Sequence, residues 1–350
     1  MASTDLTNMK EDQSRDGQET ISEENKVIHD YNNLILSLPK ENGWGLSQNV
    51  YFQCFWCPSN MIQPIISFQN NFQAKHNDIV VASLPKSGTT WLRAFTFTIV
   101  NRNQYSFENH PLLKSIIHEL VPSIERNLYA ADIKDRIPLS KIIEPRLFGT
   151  HIPFPSLAKS IQDSNCKIVY ISRNPFDTFV SYWIFINKIR SKHPSLPVLS
   201  LEETFESFCN GITPFGSFWE HNLGYLKESM IRPDKVIFLK YEELKEDPIF
   251  HVTRLATFLG YSFTQEEESK KVVENIINLC CFETMKELEV NKFGSVRSDI
   301  ENKFFFRKAK VEDWKNYLSP SMEEKLSKIV DEKLSVPMSH LESHTTNIIK

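Results

Sequence analysis

Nothing in this sequence is apolar over a long stretch. No run approaches the roughly 18 residues that a membrane-spanning helix needs, and the first residues are polar, without the apolar core of a signal peptide. An excess of positive charge is also missing, because 40 Lys and Arg stand against 44 Asp and Glu, a formal net charge of −4. A sequence-independent nucleic-acid binder needs a basic face. We therefore expect a cytoplasmic protein that binds neither membranes nor nucleic acid.

Cysteine is scarce as well, with 6 residues that show no regular spacing. Cys54 and Cys57 have C-x-x-C spacing, but a zinc site would need a second pair of ligands and none is evident. Their aromatic neighbours favour buried, reduced thiols, so we expect no metal site. Aromatic residues, in contrast, make up 12% of the chain and supply enough apolar material for a substantial core.

The most informative stretch begins at Ile79. Ile79–Leu84 is a short apolar run rich in β-branched residues, which predicts a buried strand, and Trp91–Val100 predicts a helix that packs on it. The turn between them, residues 85–90, reads Pro-Lys-Ser-Gly-Thr-Thr. Gly88 lets the backbone approach a ligand closely, and a helix N-terminus offers free N–H groups to an anion.

This turn predicts a phosphate-binding site in which Lys86 supplies positive charge and Ser87, Thr89 and Thr90 supply hydroxyl donors. The Walker pattern of nucleotide-binding loops places its Lys directly after a glycine. Here Lys86 lies two residues before Gly88, and no acidic residue nearby suggests a magnesium ligand. An ordinary strand-turn-helix with a solvated Lys and an ATP-dependent kinase stay open as alternatives.

The heptapeptide from Pro85 to Trp91, PKSGTTW, resembles the 5′-phosphosulfate loop of the cytosolic sulfotransferases. That family transfers the sulfuryl group of 3′-phosphoadenylyl sulfate (PAPS) to a hydroxyl or amine. The resemblance implies an α/β fold with a central parallel sheet flanked by helices, the P-loop-like sulfotransferase fold. It also implies that Ser87 to Thr90, Gly88 included, hold the 5′-phosphate, that Lys86 stabilises charge on the bridging oxygen, and that Trp91 stacks on adenine.

Two further motifs match the family in chain order. Arg173-Asn-Pro-x-Asp177-x-x-x-Ser181 matches its 3′-phosphate motif, which implies that Arg173 and Ser181 bind that phosphate. Thr150-His151 matches its Thr-His pair, in which the His is the catalytic base. From the residues alone, a salt bridge between Arg173 and Asp177 and a surface position for His151 are equally compatible with the sequence.

Two more residues complete the implied adenine site. Tyr241 matches a tyrosine that contacts the adenine, and Phe282 matches a phenylalanine that stacks on it. The acceptor pocket is expected to draw on the aromatic residues Tyr51 to Trp56, on the region before His151 and on the 211–221 loop. These walls fit a flavonoid and a steroid equally well.

Residues 304–314 resemble the family's R-K-G-x-x-G-D-W loop, which closes over the 3′-phosphate. The resemblance implies that Arg307, Lys308 and Ala309 bind the cofactor. Ala309 and Glu312 stand where the family has glycine. A positive φ at Ala309 would strain that residue by about 1 kcal/mol. This departure motivates a second hypothesis, a family member that binds PAPS weakly or does not catalyse transfer.

The leading hypothesis is transfer of the sulfuryl group from PAPS to a hydroxyl of an apolar small molecule, with His151 as the general base. The chain resembles the plant branch of the family, whose acceptors include flavonols and steroids, so a flavonoid or a brassinosteroid is the expected acceptor. The vertebrate dimer motif K-x-x-x-T-V-x-x-x-E is matched poorly between Lys315 and Glu324, and a monomer is expected.

The chain is expected to form one domain. Residues 1–26 are polar and predict a disordered tail, and residues 27–345 predict a single sulfotransferase domain. Buried or extended strands are predicted at residues 79–84, 146–151, 166–172 and 235–240.

Overall fold

The computed structural model describes residues 31–132, 134 and 136–345, with side chains as far as residue 333. The tail predicted at residues 1–26 lies outside the described residues. The centre of the fold is a parallel sheet in the order β5-β4-β6-β7, beside a three-stranded antiparallel sheet and a short hairpin. The strands are β1 (Lys40–Glu41), β2 (Asn49–Phe52), β3 (Phe55–Pro58), β4 (Ile79–Ala82), β5 (Leu147–Thr150), β6 (Lys167–Ser172), β7 (Val236–Lys240), β8 (Ser295–Arg297) and β9 (Ile300–Glu301).

Helices cover the central sheet on both faces. Among the described residues, none of them is long and apolar enough to cross a membrane. The helices are α1 (residues 31–37), α2 (Ile62–Asn71), α3 (Thr89–Asn101), α4 (Ile117–Leu120), α5 (Lys159–Asp163), α6 (Pro175–Arg190), α7 (Leu201–Cys209), α8 (Phe218–Ile231), α9 (Tyr241–Glu246), α10 (Pro248–Leu259), α11 (Gln265–Ser269), α12 (Val272–Cys280), α13 (Phe282–Glu287), α14 (Glu289–Lys292) and α15 (Pro320–Thr345).

The central strands are apolar throughout because both of their faces are covered. Successive side chains of a strand point to opposite faces, and β4 shows this directly. Ile79 and Val81 pack into the core that α3 and α10 cover, whereas Val80 and Ala82 pack into the core on the side of α6. The predicted parallel sheet with helices on both sides is confirmed, and its four predicted strands are present, each shorter than predicted by one or two residues.

The strand order places all four carboxyl ends at one edge of the sheet. β4 pairs in parallel with β5 on one side and with β6 on the other, and β6 pairs with β7. The chain therefore crosses over β4 between β5 and β6, and the edge beside β4 is a topological switch point, where open α/β sheets bind ligands. His151, Arg173 and Tyr241 each follow directly the last residue of a strand at this edge.

Candidate active site

The turn after β4 has the geometry of an anion site. Gly88 has φ 110° and precedes the first residue of α3, Thr89, so the first N–H groups of the helix face outward. A Cβ on Gly88 would lie 2.8 Å from the Tyr241 ring, so the position excludes any side chain by space as well as by φ. The Ser87 hydroxyl is buried without a hydrogen-bond partner. A phosphate oxygen would supply the acceptor that this hydroxyl lacks.

Lys86 places a cation at this turn without a counterion. Its Nζ lies 4.1 Å from the centroid of the Phe185 ring and 5.6 Å from that of Phe305. Burial, followed by the charges of Arg307, Lys188 and Arg173, lowers the pKa of Lys86 to about 7. Several cations thus lie close together at this turn. Among the described residues no carboxylate pairs with Lys86, so the cluster favours an anionic ligand.

The turn after β6 supplies a second cationic group. Asn174 caps α6 by accepting the N–H of Asp177 at 2.8 Å, and Pro175 begins the helix. This cap aims Arg173 across the edge of the sheet, where its guanidinium carbon lies 4.5 Å from the centroid of the Tyr241 ring. Arg173 donates to the Lys310 carbonyl at 2.7 Å, and its Nε is buried without a partner. The turn is therefore ordered, and the Nε of Arg173 remains free to donate to a ligand.

The 307–314 loop lies over this second turn. Asp177 accepts the Glu312 N–H at 2.8 Å and the Trp314 N–H at 3.1 Å, which fixes the loop against α6. Ala309 has φ 51° and Glu312 has φ 62°, so the positive φ anticipated for Ala309 is present and Glu312 shares it. Arg307 and Ala309 line the same cavity as Lys86 and Arg173.

Lys308 does not join these residues. Its Nζ lies 3.0 Å from a carboxylate oxygen of Asp313 and points to Tyr317, and the side chain does not line the cavity. In this structure both Lys308 and Arg307 pair with Asp313, and the expected contact of Lys308 with phosphate stays a prediction. Asp313, which attracts both side chains, is buried in the same loop.

An aromatic slot occupies one end of the cavity. Trp91 and Tyr241 meet edge to face with ring centroids 5.4 Å apart, and Phe282 lines the same cavity. The Nε1 of Trp91 is buried without a partner. Aromatic rings that line a cavity suit a flat aromatic ligand such as a purine.

His151 has the features of a general base. Its Nδ1 lies 2.7 Å from the Ser83 carbonyl, which can only accept, so Nδ1 carries the proton and Nε2 keeps its lone pair. Burial, and after it the charge of Arg93, lowers the pKa of His151 well below 6.5, so the ring is neutral at pH 7. The backbone is held too, because the His151 N–H donates to Glu125 at 3.0 Å and the His151 carbonyl accepts from His221 Nε2 at 2.9 Å.

The cavity that joins these groups has a volume of about 910 Å³. Beyond His151 its wall is largely apolar and includes Met61, Tyr182 and Ile186. The residues from Tyr51 to Trp56 do not line it, and of the 211–221 loop only Pro214 does. The expectation is therefore wrong for Tyr51–Trp56, which forms a β-hairpin, and for most of the 211–221 loop, whereas the region before His151 does line the cavity, for example through Arg126. Among the described residues, no three His, Cys, Asp or Glu side chains cluster to hold a metal ion.

Comparison with known proteins shows which family the chain resembles. The model of the sulfotransferase domain matches residues 76–336. Cytosolic sulfotransferase 15 of Arabidopsis thaliana is 50% identical over 93% of this chain and 90% of its own length. The chain belongs to the sulfotransferase family. A flavonol sulfotransferase-like protein of Flaveria bidentis is 43% identical over 81% of this chain and 90% of its own length. The crystal structure of a putative steroid sulphotransferase of Arabidopsis thaliana superposes with a TM-score of 0.68 at 37% identity, over 87% of this chain and 93% of that one.

The sulfotransferase site contains residues that the motifs did not reveal. Glu125 is fully buried and binds the Thr150 hydroxyl and the His151 N–H with its two oxygens. The Arg93 guanidinium lies where a Cβ on Gly149 would be, which explains the glycine before the Thr-His pair. His118 stacks on Phe305, 4.0 Å between ring centroids. Gly149 is the one local signal in the sequence, because a glycine allows another group to approach the backbone closely. Arg93, His118 and Glu125 are brought to the cavity by the tertiary fold alone.

Proposed function

We propose that this sulfotransferase transfers the sulfuryl group of PAPS to a hydroxyl of a small organic acceptor, such as a flavonoid or a steroid. The observation that carries the proposal is one cavity that joins the Lys86 turn, Arg173 and the free Nε2 of His151. Two cationic turns at one edge of a sheet suit the two phosphate groups of a single nucleotide. The word cytosolic in the names of the Arabidopsis relatives supports a cytoplasmic location.

The nucleotide would be held by groups at the two turns, and two of these, the Ser87 hydroxyl and the Nε of Arg173, lack a hydrogen-bond partner among the described residues, although another nitrogen of Arg173 lies 3.4 Å from Asp177. The Ser87 hydroxyl and the first N–H groups of α3, with Thr89 and Thr90 at its start, suit the 5′-phosphate. The free Nε of Arg173 suits the 3′-phosphate, with Arg307 nearby and the Ser181 hydroxyl lining the same cavity. Adenine fits the slot of Trp91, Tyr241 and Phe282.

Lys86 and His151 would carry the chemistry. When bound, PAPS supplies an activated sulfuryl group. The Lys86 ammonium, held without a counterion, stabilises negative charge as it develops on an oxygen beside it. His151 Nε2 takes the proton of the acceptor hydroxyl, and the Ser83 carbonyl stabilises the imidazolium through Nδ1–H. Positioning and charge supply the rate enhancement, as in phosphoryl transfer.

Turnover and nucleotide binding can be measured separately on the same variant. The chain is incubated with PAPS and a panel of flavonols and hydroxysteroids, and 3′,5′-ADP release is measured. We expect His151→Ala to abolish turnover while 3′,5′-ADP binds nearly as in the wild type. His76, exposed at the opposite end of β4, supplies the control, and His76→Ala should keep full activity. Turnover by His151→Ala at the wild-type rate would contradict the role of His151 as general base.

A second candidate function is a family member that binds the nucleotide without turning it over. The positive φ at Ala309 and Glu312 favours it, since both positions lack the glycine that such a backbone prefers. In the assay above, tight 3′,5′-ADP binding without turnover on any acceptor would support this candidate. The expected monomeric state is tested by light scattering on the same sample.

A further inference from the structure

The acceptor end of the cavity contains a charged group without a partner. Arg126 lies on the single turn Ile124–Leu128 and lines the cavity, half-buried. Over the described residues, its guanidinium makes no hydrogen bond and no ion pair. The guanidinium carbon lies 5.8 Å from the centroid of the Phe215 ring, so an aromatic surface orients the group but does not neutralise it.

The acids nearby that the structure describes do not neutralise Arg126 either. Glu125 is adjacent in sequence, but its two oxygens accept from the Thr150 hydroxyl and the His151 N–H. Consecutive residues of a helical turn point in different directions, which sends one side chain into the core and the other into the cavity. Asp132 also lines the cavity but is exposed and forms no ion pair with Arg126.

The guanidinium lies close to the proposed base. The His151 ring packs on the same Phe215 ring, 5.6 Å between centroids. The charge of Arg126 is also one of the causes, after burial and Arg93, that lower the pKa of His151. His151 and Arg126 thus flank one buried ring and line the same cavity, so an acceptor whose hydroxyl reaches His151 lies near a free positive charge.

The free charge discriminates between kinds of acceptor. A wholly apolar acceptor would displace water from the guanidinium and leave a partly buried charge unpaired, which is costly. A carboxylate would instead form a bidentate pair with the planar guanidinium, among the strongest polar contacts in proteins. We propose that the acceptor is a hydroxylated organic acid whose carboxylate binds Arg126 while its hydroxyl lies at His151. This rests on the proposed function, which supplies the transfer to the hydroxyl.

The test compares acids with their neutral derivatives. The probes are 4-hydroxyphenylalkanoic acids of graded chain length, with their methyl esters and amides. For the wild type we expect an acid of suitable length to have kcat/KM about 10- to 100-fold above its ester, mainly through KM, since the carboxylate adds charge-assisted hydrogen bonds. Arg126→Met should bring kcat/KM for the acid down to near that of its ester, both measured on the variant, and Arg126→Lys should restore part of the preference.

The controls separate this inference from the function on which it rests. Arg254→Met, at an exposed position of α10, should keep the preference for the acid. Binding of acid and ester to the complex with 3′,5′-ADP is measured by calorimetry as well, because that comparison needs no turnover. Absence of sulfation with a retained acid preference in binding contradicts the proposed function only. Equal binding of acid and ester, or an equal loss of both in Arg126→Met, overturns the role of Arg126.

Discussion

Restoring glycine at positions 309 and 312 should stabilise the loop over the cavity. Ala309 and Glu312 have φ of 51° and 62°, in the left-handed region that a side chain disfavours. The loop cannot relax, because Asp177 holds two of its N–H groups while Arg173 and Lys245 bind the carbonyls of residues 310 and 309. The strain is thus built into the docked loop.

The magnitude follows from two opposing terms. A left-handed conformation costs a residue with a side chain about 1–2 kcal/mol. Replacing Ala by Gly also adds flexibility to the undocked chain, which offsets about 0.4–1 kcal/mol of this gain. The two ranges together give about 0–1.6 kcal/mol, so Ala309→Gly should gain about 0.8 kcal/mol, or about 4-fold in an equilibrium constant. Glu312→Gly should gain a similar amount and also remove a negative charge from a loop proposed to bind phosphate.

Two assays together measure the free energy gained by the two substitutions. Strain that is relieved in the free protein raises the free energy of unfolding, whereas strain relieved when the loop docks raises the affinity for 3′,5′-ADP. Both quantities are measured, by urea unfolding and by calorimetry. Val311→Gly is the control, since Val311 is exposed and its φ is not positive, and it should lose stability. No gain in either assay, or an equal gain in Val311→Gly, would refute the reasoning.

The remaining predictions concern charged groups. In the pH profile of kcat/KM, the acid limb should lie below pH 6.5, because the lowered pKa keeps His151 neutral and active down to that pH. An acid limb at or above pH 6.5 would contradict this. Since the pKa of free Lys86 is about 7 and a bound anion raises it, 3′,5′-ADP should bind with proton uptake at pH 8 and more weakly as the pH rises above 7. Calorimetry in two buffers measures the uptake, and Lys86→Met should abolish it; uptake retained in that variant excludes Lys86 as its source. Arg146→Met should cost about 3–5 kcal/mol in urea unfolding, because it leaves the buried Asp78 carboxylate, now held at 2.6 and 2.8 Å, without its cation; a loss below about 1 kcal/mol would contradict it.

Much of the fold was predictable because its signals are local. The four central strands are short apolar runs. Two of them are followed by turns whose composition predicts the start of a helix, at Gly88 and at Asn174-Pro175. Parallel strands align their carboxyl ends, so the sheet brings together Lys86, His151 and Arg173 once the strand order is known. The strand order itself carries no local signal.

The rest of the site depends on tertiary contacts. Glu125 and Arg126 come from a single irregular turn in a stretch without periodicity, and the direction of Glu125 is set by its hydrogen bonds to Thr150 and His151. The direction of the Lys308 side chain has the same origin, since it is set by Asp313. A motif fixes which residue types follow each other, but packing fixes which of them face the cavity.

The central claim is that one nucleotide bridges the Lys86 turn and the Arg173 turn. Calorimetric titration of the whole chain with 3′,5′-ADP and with 5′-AMP tests it most directly. We predict that the 3′-phosphate raises the affinity at least about tenfold, through charge-assisted hydrogen bonds, and that Arg173→Met removes most of that difference. Equal affinities of the wild type for the two nucleotides would contradict the account.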